Sequence, residues 1–222
     1  MKKNKWDAYY MSHYKPEDSD WSSRDVEKYK RWYVSWLSYI RVRCPAFQRK
    51  STIFEIGSGI GSVAKSLQEK GHDITGSDIT PFMVLRANLY CKPVKFIECD
   101  IQKPIPIKKK VDVIVGFEVL EHVPDVEKAI KNIWNGLHKD GCFVGTSPYP
   151  FPKNFKDPTH VNVKYPEQWV ELFKKTGFSE VTIYPMSFMP YLWRIHPSLN
   201  VVMPFFIPWP TIVSTALIIA KK

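Results

Sequence analysis

Three glycines at alternate positions, Gly57, Gly59 and Gly61, stand in FEIGSGIGSV, residues 54–63, with Glu55 two places before the first of them. Glycines so spaced serve either a turn with unusual dihedrals or a ligand that must lie against bare backbone. Two phosphate-binding readings fail on spacing. A dinucleotide fingerprint needs G-x-G-x-x-G, and its third glycine would fall where Ser62 stands. A P-loop needs a Gly-Lys-Ser/Thr sequel, and none follows. What remains is a G-x-G-x-G behind an acidic residue.

The elements around this stretch alternate. STIFEI reads as a strand leading into the glycines, and SVAKSLQEKG as the helix after them, stopped by Gly71. HDITGSD is a second strand, followed by a helix with Thr80 placed to cap it and Pro81 at its first position. VKFIECD and VDVIVGF are a third and a fourth strand. Val126, Ala129, Ile130, Ile133, Trp134 and Leu137 mark the next helix, and CFVGTS a fifth strand. Pro166 opens a further helix, FSEVTIYP makes a sixth strand, and STALIIAKK closes the chain as a seventh. Upstream, residues 24–43 carry Val26, Tyr29, Tyr33, Trp36, Leu37 and Ile40 at helical spacing. Strands alternating with helices predict a parallel α/β sheet covered on both faces. In such a sheet ligands bind at the carboxyl ends of the strands, where the strand order reverses, which is where the glycines fall.

Within this frame EIGSGIG is similar to the first motif, E/D-x-G-x-G-x-G, of the class I S-adenosylmethionine-dependent methyltransferases, and the motifs that follow keep the family's order. Asp78 ends the second strand, 21 residues after Gly57, and Asp100 ends the third. GFEVLEHVPD resembles the segment after the fourth strand in the quinone-biosynthesis and related small-molecule branch. LHKDGCFVGTSP resembles the family's turn into the fifth strand, with Asp140 in place of the usual first glycine. The resemblance implies a Rossmann-like, doubly wound, seven-stranded, mostly parallel sheet with an antiparallel last strand. It implies S-adenosylmethionine as cofactor; no metal is expected, because the four cysteines form no CxxC pair and no His-spaced cluster. Asp78 would hold both ribose hydroxyls, since two adjacent donors match a carboxylate's two oxygens. Asp100 and the backbone of Ile101 would take the adenine. Glu55, Gly57, Ser58, Gly59, Gly61, Ile79 and Phe117 complete the expected cofactor set, the glycines letting backbone lie against the methionine and ribose portions.

Methyl transfer to an oxygen needs a proton acceptor as well as alignment. Glu118, His122 and His160 are the candidates: the first two follow the fourth strand, and His160 sits in DPTHVN after the fifth. His160 is favoured, because Glu121 and His122 are also suited to capping the helix that starts near Asp125. His13, His72, His138 and His196 read as surface or loop residues. No Asn/Asp-Pro-Pro-Tyr stands after the fourth strand, against amino-group methylation of bases, and no Pro-Cys, against cytosine carbon chemistry. A small-molecule, sugar or lipid-like acceptor methylated on oxygen is expected. An RNA methyltransferase and a non-catalytic S-adenosylmethionine-binding protein remain as alternatives.

The formal net charge of +10 is uneven: residues 1–50 carry 12 Lys/Arg against 6 Asp/Glu, together with 11 aromatics, Trp6, Tyr9, Tyr10, Tyr14 and Trp21 among them. Such a segment suits an anionic partner or, as favoured here, a helical cap over the cofactor, with residues 51–222 as the methyltransferase domain. A base-stacking platform is the less favoured use. Within 185–212 lies an apolar insert, and Ile195 to Ala220 contains no Lys, Arg, Asp or Glu. Its prolines argue against a spanning helix and leave core packing, a greasy acceptor pocket or peripheral membrane contact. Cys44, Cys91, Cys99 and Cys142 form no metal-spaced pair, and MKKNKWDAYY leads into no apolar stretch, so a cytoplasmic protein with reduced thiols is expected.

Overall fold

In the computed structural model, which describes residues 23–189, 192, 195, 196, 199, 201–209 and 212–222, the alternating elements build one seven-stranded sheet. The strands are β1 (Thr52–Ile56), β2 (Asp73–Asp78), β3 (Lys95–Glu98), β4 (Val111–Phe117), β5 (Leu137–Pro148), β6 (Glu180–Phe188) and β7 (Val213–Lys221). Their spatial order is β3-β2-β1-β4-β5-β7-β6. β7 lies antiparallel between β5 and β6, and the pairs β3–β2, β2–β1, β1–β4 and β4–β5 are all parallel. The expected mostly parallel sheet with an antiparallel last strand is the one found.

Side chains alternate faces along each strand, so one sheet serves two cores. Ile53, Val113, Val115, Phe117, Val144 and Leu217 face α1 (Ser23–Arg43), α2 (Ser62–Glu69) and α3 (Pro81–Tyr90). Phe54, Ile56, Ile114, Phe143 and Ile218 face α4 (Val126–Gly136) and α5 (Pro166–Thr176). α1 buries Val26, Trp36, Leu37 and Ile40 in the first core, each contributing roughly 1.5–3 kcal/mol relative to exposure. Lys30 reaches Glu69 at 2.7 Å and fixes α1 against α2.

Local corrections have local causes. Leu137 begins β5 rather than ending α4, because β4 pairs from Val111↔Leu137 onward. β6 runs on to Phe188, into the stretch expected as an insert. Thr80 stands at the N-cap of α3, but its hydroxyl makes no capping bond. His72 is buried against the Phe47 ring, 5.9 Å between centroids, rather than on the surface. Asp140 adopts φ 65°, a conformation Asp tolerates better than most residues. All four cysteines are free and buried. No helix among the described residues is long and apolar enough to cross a membrane. The aromatics of residues 6–21 and the cap expected of them lie outside the described residues.

Candidate functional site

The strand order reverses between β1 and β4, and the crevice beyond their carboxyl ends is where a parallel sheet leaves room for a ligand. Gly57, Gly59 and Gly61 run across it at φ 62°, 51° and 85°. They are not equivalent. A Cβ on Gly59 would meet nothing within 4 Å, so its bareness keeps open the space a ligand needs. A Cβ on Gly61 would strike Phe96 Cζ at 2.5 Å. Gly61 lines neither of the two clefts beside the loop, and its bareness serves the close packing of α2 on β3.

One cleft is lined by Gly57, Gly59, Asp78, Ile79, Cys99, Asp100, Ile101, Gln102, Glu118, Val119 and His122. The other, across the loop, is lined by Tyr29, Tyr33, Glu55, Ser58, Met83 and Phe117, with Gly57 and Gly59 shared. Of the ten residues expected around a cofactor, only Gly61 is missing from both. Tyr29, Tyr33, Gln102 and Val119 were not anticipated. The tyrosines had been legible only as the apolar face of a helix.

Asp78 Oδ2 accepts from the Gly59 N–H and Oδ1 from the Thr80 N–H, both at 2.9 Å, so the carboxylate ties the glycine loop to the end of β2. Burial pushes its pKa up, opposed by those two donors. Glu55 is buried, its Oε2 has no hydrogen-bond partner, and burial holds its carboxyl well above the usual range. Asp100 Oδ1 accepts from the Gln102 N–H at 3.0 Å, leaving the group half-buried at the cleft. Burial raises the Tyr33 phenol, and the charges of Glu55 and Glu118 add to the effect.

At the far end of the first cleft Glu118 holds φ 55°, unusual for a residue with a side chain and costing of order 1–3 kcal/mol. Thr215 donates to its Oε1 at 2.7 Å. Burial raises its pKa, with the Thr215 and Thr146 hydroxyls opposing. The chain then turns through a short 3-10 helix, Leu120–His122. The cap of α4 is Asp125, whose Oδ1 accepts from the Lys128 N–H at 3.1 Å, so Glu121 and His122 are left without that duty. His122 Nδ1 lies 3.1 Å from the Thr159 carbonyl and His160 Nδ1 lies 2.8 Å from the Asn154 carbonyl. The two rings stand 4.8 Å apart. His160 is brought beside His122, but it lines neither cleft itself.

A family model described as a methyltransferase domain matches residues 54–145. The chain is 29% identical over 100 residues to the ubiquinone biosynthesis O-methyltransferase of Paramagnetospirillum magneticum, covering 43% of this chain and 40% of that one. It is 26% identical over 115 residues to the tRNA 5-carboxymethoxyuridine methyltransferase of Escherichia coli, covering 49% and 44%. The match thus spans less than half the length of these relatives. Among solved structures, a SAM-dependent methyltransferase of Thermotoga maritima described as a possible histamine N-methyltransferase shares the fold with TM-score 0.64 at 21% identity, over 90% of this chain and 97% of that one. The matched segment, the sheet order and the glycine loop under Asp78 are those of a methyltransferase domain, similar to the class I S-adenosylmethionine-dependent enzymes.

Proposed function

We propose that the chain transfers a methyl group from S-adenosylmethionine to an oxygen of a small acceptor that carries an apolar, lipid-like portion. The observation that carries this reading is that Glu118 and His122 share one cleft with Asp78, Asp100 and the glycine loop. Bound S-adenosylmethionine supplies an electrophilic methyl group on a sulfonium. The residues present fit it. Each Asp78 oxygen uses one lone pair on a backbone N–H and keeps another for a ribose hydroxyl. Ile79 and Ile101 wall the adenine end, where Asp100 offers an acceptor. The buried, unpartnered Glu55 Oε2 offers the ammonium of the methionine portion a hydrogen-bond acceptor. Ser58, Phe117, Tyr29 and Tyr33 enclose that end. As the acceptor oxygen bonds to carbon, its proton passes to the group formed by Glu118, His122 and His160. The strained backbone at Glu118 favours a working enzyme over a module that only binds.

The apolar preference comes from the rim. Phe205 O accepts from Ser187 Oγ at 2.7 Å, and Ser187 Oγ contacts Ser214 Oγ at 2.7 Å, one residue from the Thr215 that bonds Glu118. This ties segment 201–209 to the acceptor end. Val201, Phe205 and Trp209 on it, and Phe155, Val161 and Tyr165 on the loop after β5, are each more than half exposed. Such a rim suits a greasy acceptor or contact with a membrane surface. A second reading, an RNA acceptor, draws on the net charge and the match to a tRNA methyltransferase. Incubation with methyl-labelled cofactor and fractionated cell extract decides between them. Label is expected in organic-extractable small molecules. Label confined to RNA supports the second reading, and no transfer to any fraction refutes both.

Asp78→Ala is expected to weaken cofactor binding by about 1.5–3 kcal/mol, roughly 10–100-fold in Kd. It removes the ribose partner and also frees the Gly59 N–H, so the melting temperature falls with it. Calorimetry giving an unchanged Kd would remove the ribose assignment.

A further inference from the structure

Glu121 is the most anomalous acidic side chain among the described residues. It has 0% exposure, and neither of its carboxylate oxygens has a hydrogen-bond partner. An acid is rarely kept fully buried without a compensating group. Its backbone is held in place, since its carbonyl accepts from the Val161 and Asn162 N–H groups at 2.8 and 2.9 Å. Two histidines converge on it. His122 Nε2 stands 3.7 Å from Glu121 Oε1. One ligand atom from each of Glu121, His122 and His160 lies within 4.8 Å of the others.

The tautomers follow from the backbone. A carbonyl oxygen only accepts, so the Nδ1 atoms of His122 and His160 must carry hydrogen toward Thr159 O and Asn154 O. Each neutral ring then presents a lone pair at Nε2. Histidines that ligate metals are oriented in this way, with the other ring nitrogen donating to a backbone carbonyl. We propose that Glu121, His122 and His160 bind one divalent cation with a two-imidazole, one-carboxylate donor set. The sequence alone suggested no metal, because the ligands are separated by almost 40 positions and one of them reads as a loop acid.

This donor set suits a borderline ion such as Zn²⁺, Mn²⁺ or Co²⁺ and leaves coordination positions open. At about 2.1 Å from each donor, tetrahedral or octahedral angles bring donor pairs to about 3.0–3.4 Å. That is about 1.4–1.8 Å less than the 4.8 Å found, a closure that rotation of the side chains about their χ angles supplies. His122 lines the cofactor cleft, so the open positions face the acceptor end. The ion site stands on this geometry alone. The role assigned to it rests on the methyl-transfer reading: it holds the acceptor oxygen and lowers its proton affinity, which leaves Glu118 to receive the proton.

The test uses the full chain after chelator treatment, titrated calorimetrically with Zn²⁺, Mn²⁺ and Co²⁺, with the visible absorption of Co²⁺ as a second readout. One ion per chain is expected. Glu121→Gln keeps the shape of the side chain and should lower affinity at least about 100-fold. Zn²⁺ should raise the melting temperature of the wild type and leave that of Glu121→Gln unchanged. His160→Gln should weaken binding as well, while Asp78→Ala should lose S-adenosylmethionine and keep the ion. A wild type that takes up none of the three ions, or two ligand variants that bind them as the wild type does, would overturn the site. If the ion is absent but S-adenosylmethionine still binds, the ion proposal alone fails. If S-adenosylmethionine does not bind either, the methyl-transfer reading fails with it.

Discussion

Gly59→Val is expected to abolish measurable S-adenosylmethionine binding, a loss of more than about 100-fold, beyond what a single missing hydrogen bond produces. Two effects combine. Gly59 sits at φ 51°, where a side chain costs roughly 1–2 kcal/mol, and a β-branched one more. The new methyl groups would also enter the open space shared by the two clefts, since no atom lies within 4 Å of the Cβ position. Gly71 separates the two effects. It too has positive φ, 91°, and open space, but stands past the far end of α2. Gly71→Ala should lower the melting temperature and leave the cofactor Kd unchanged. Gly59→Val binding cofactor with wild-type affinity would mean that the ligand does not lie along the loop.

His160→Gln is expected to lower turnover on the true acceptor by about 10²–10⁴-fold with little change in cofactor Kd. The histidine lines neither cofactor cleft, yet its ring stands 4.8 Å from that of His122, which does. Glutamine keeps a polar group near the Asn154 carbonyl, so the loop after β5 retains an anchor. A loop-holding role would instead show as a lower melting temperature and weaker cofactor binding, with activity falling in proportion. Raising the divalent cation concentration should partly restore His160→Gln. It should not restore Glu118→Gln, which keeps the Thr215 contact but cannot take a proton. Near wild-type turnover in His160→Gln would end any direct role in transfer for this residue.

Much of this architecture was legible because local pattern and global fold agree. Apolar runs bounded by Gly71, Pro81, Pro166 and Gly177 divide the chain into the elements observed. The order EIGSGIG, Asp78, Asp100 marks three neighbouring strand ends, and those ends meet at one cleft. What escaped depends on contacts between distant residues. Leu137 fits a helical face and a strand equally well, and only its pairing with Val111 decides. Tyr29 and Tyr33 belong to the apolar stripe of α1 that packs on the core, and nothing local says that two of its rings also close a cleft. Gly61 has the spacing of a ligand loop but the neighbours of a packing contact. Glu121 reads as a loop acid until residues 161 and 162 are folded over its carbonyl and bring His160 with them.

The central claim, that the crevice between the ends of β1, β2 and β4 holds S-adenosylmethionine, is tested most directly by one calorimetric titration of the full chain with S-adenosylmethionine, run beside NADH. One S-adenosylmethionine site per chain and no heat from NADH is the predicted result, because Ser62 stands where a dinucleotide loop needs its third glycine. Binding of NADH, or no binding of S-adenosylmethionine at millimolar concentration, would contradict it.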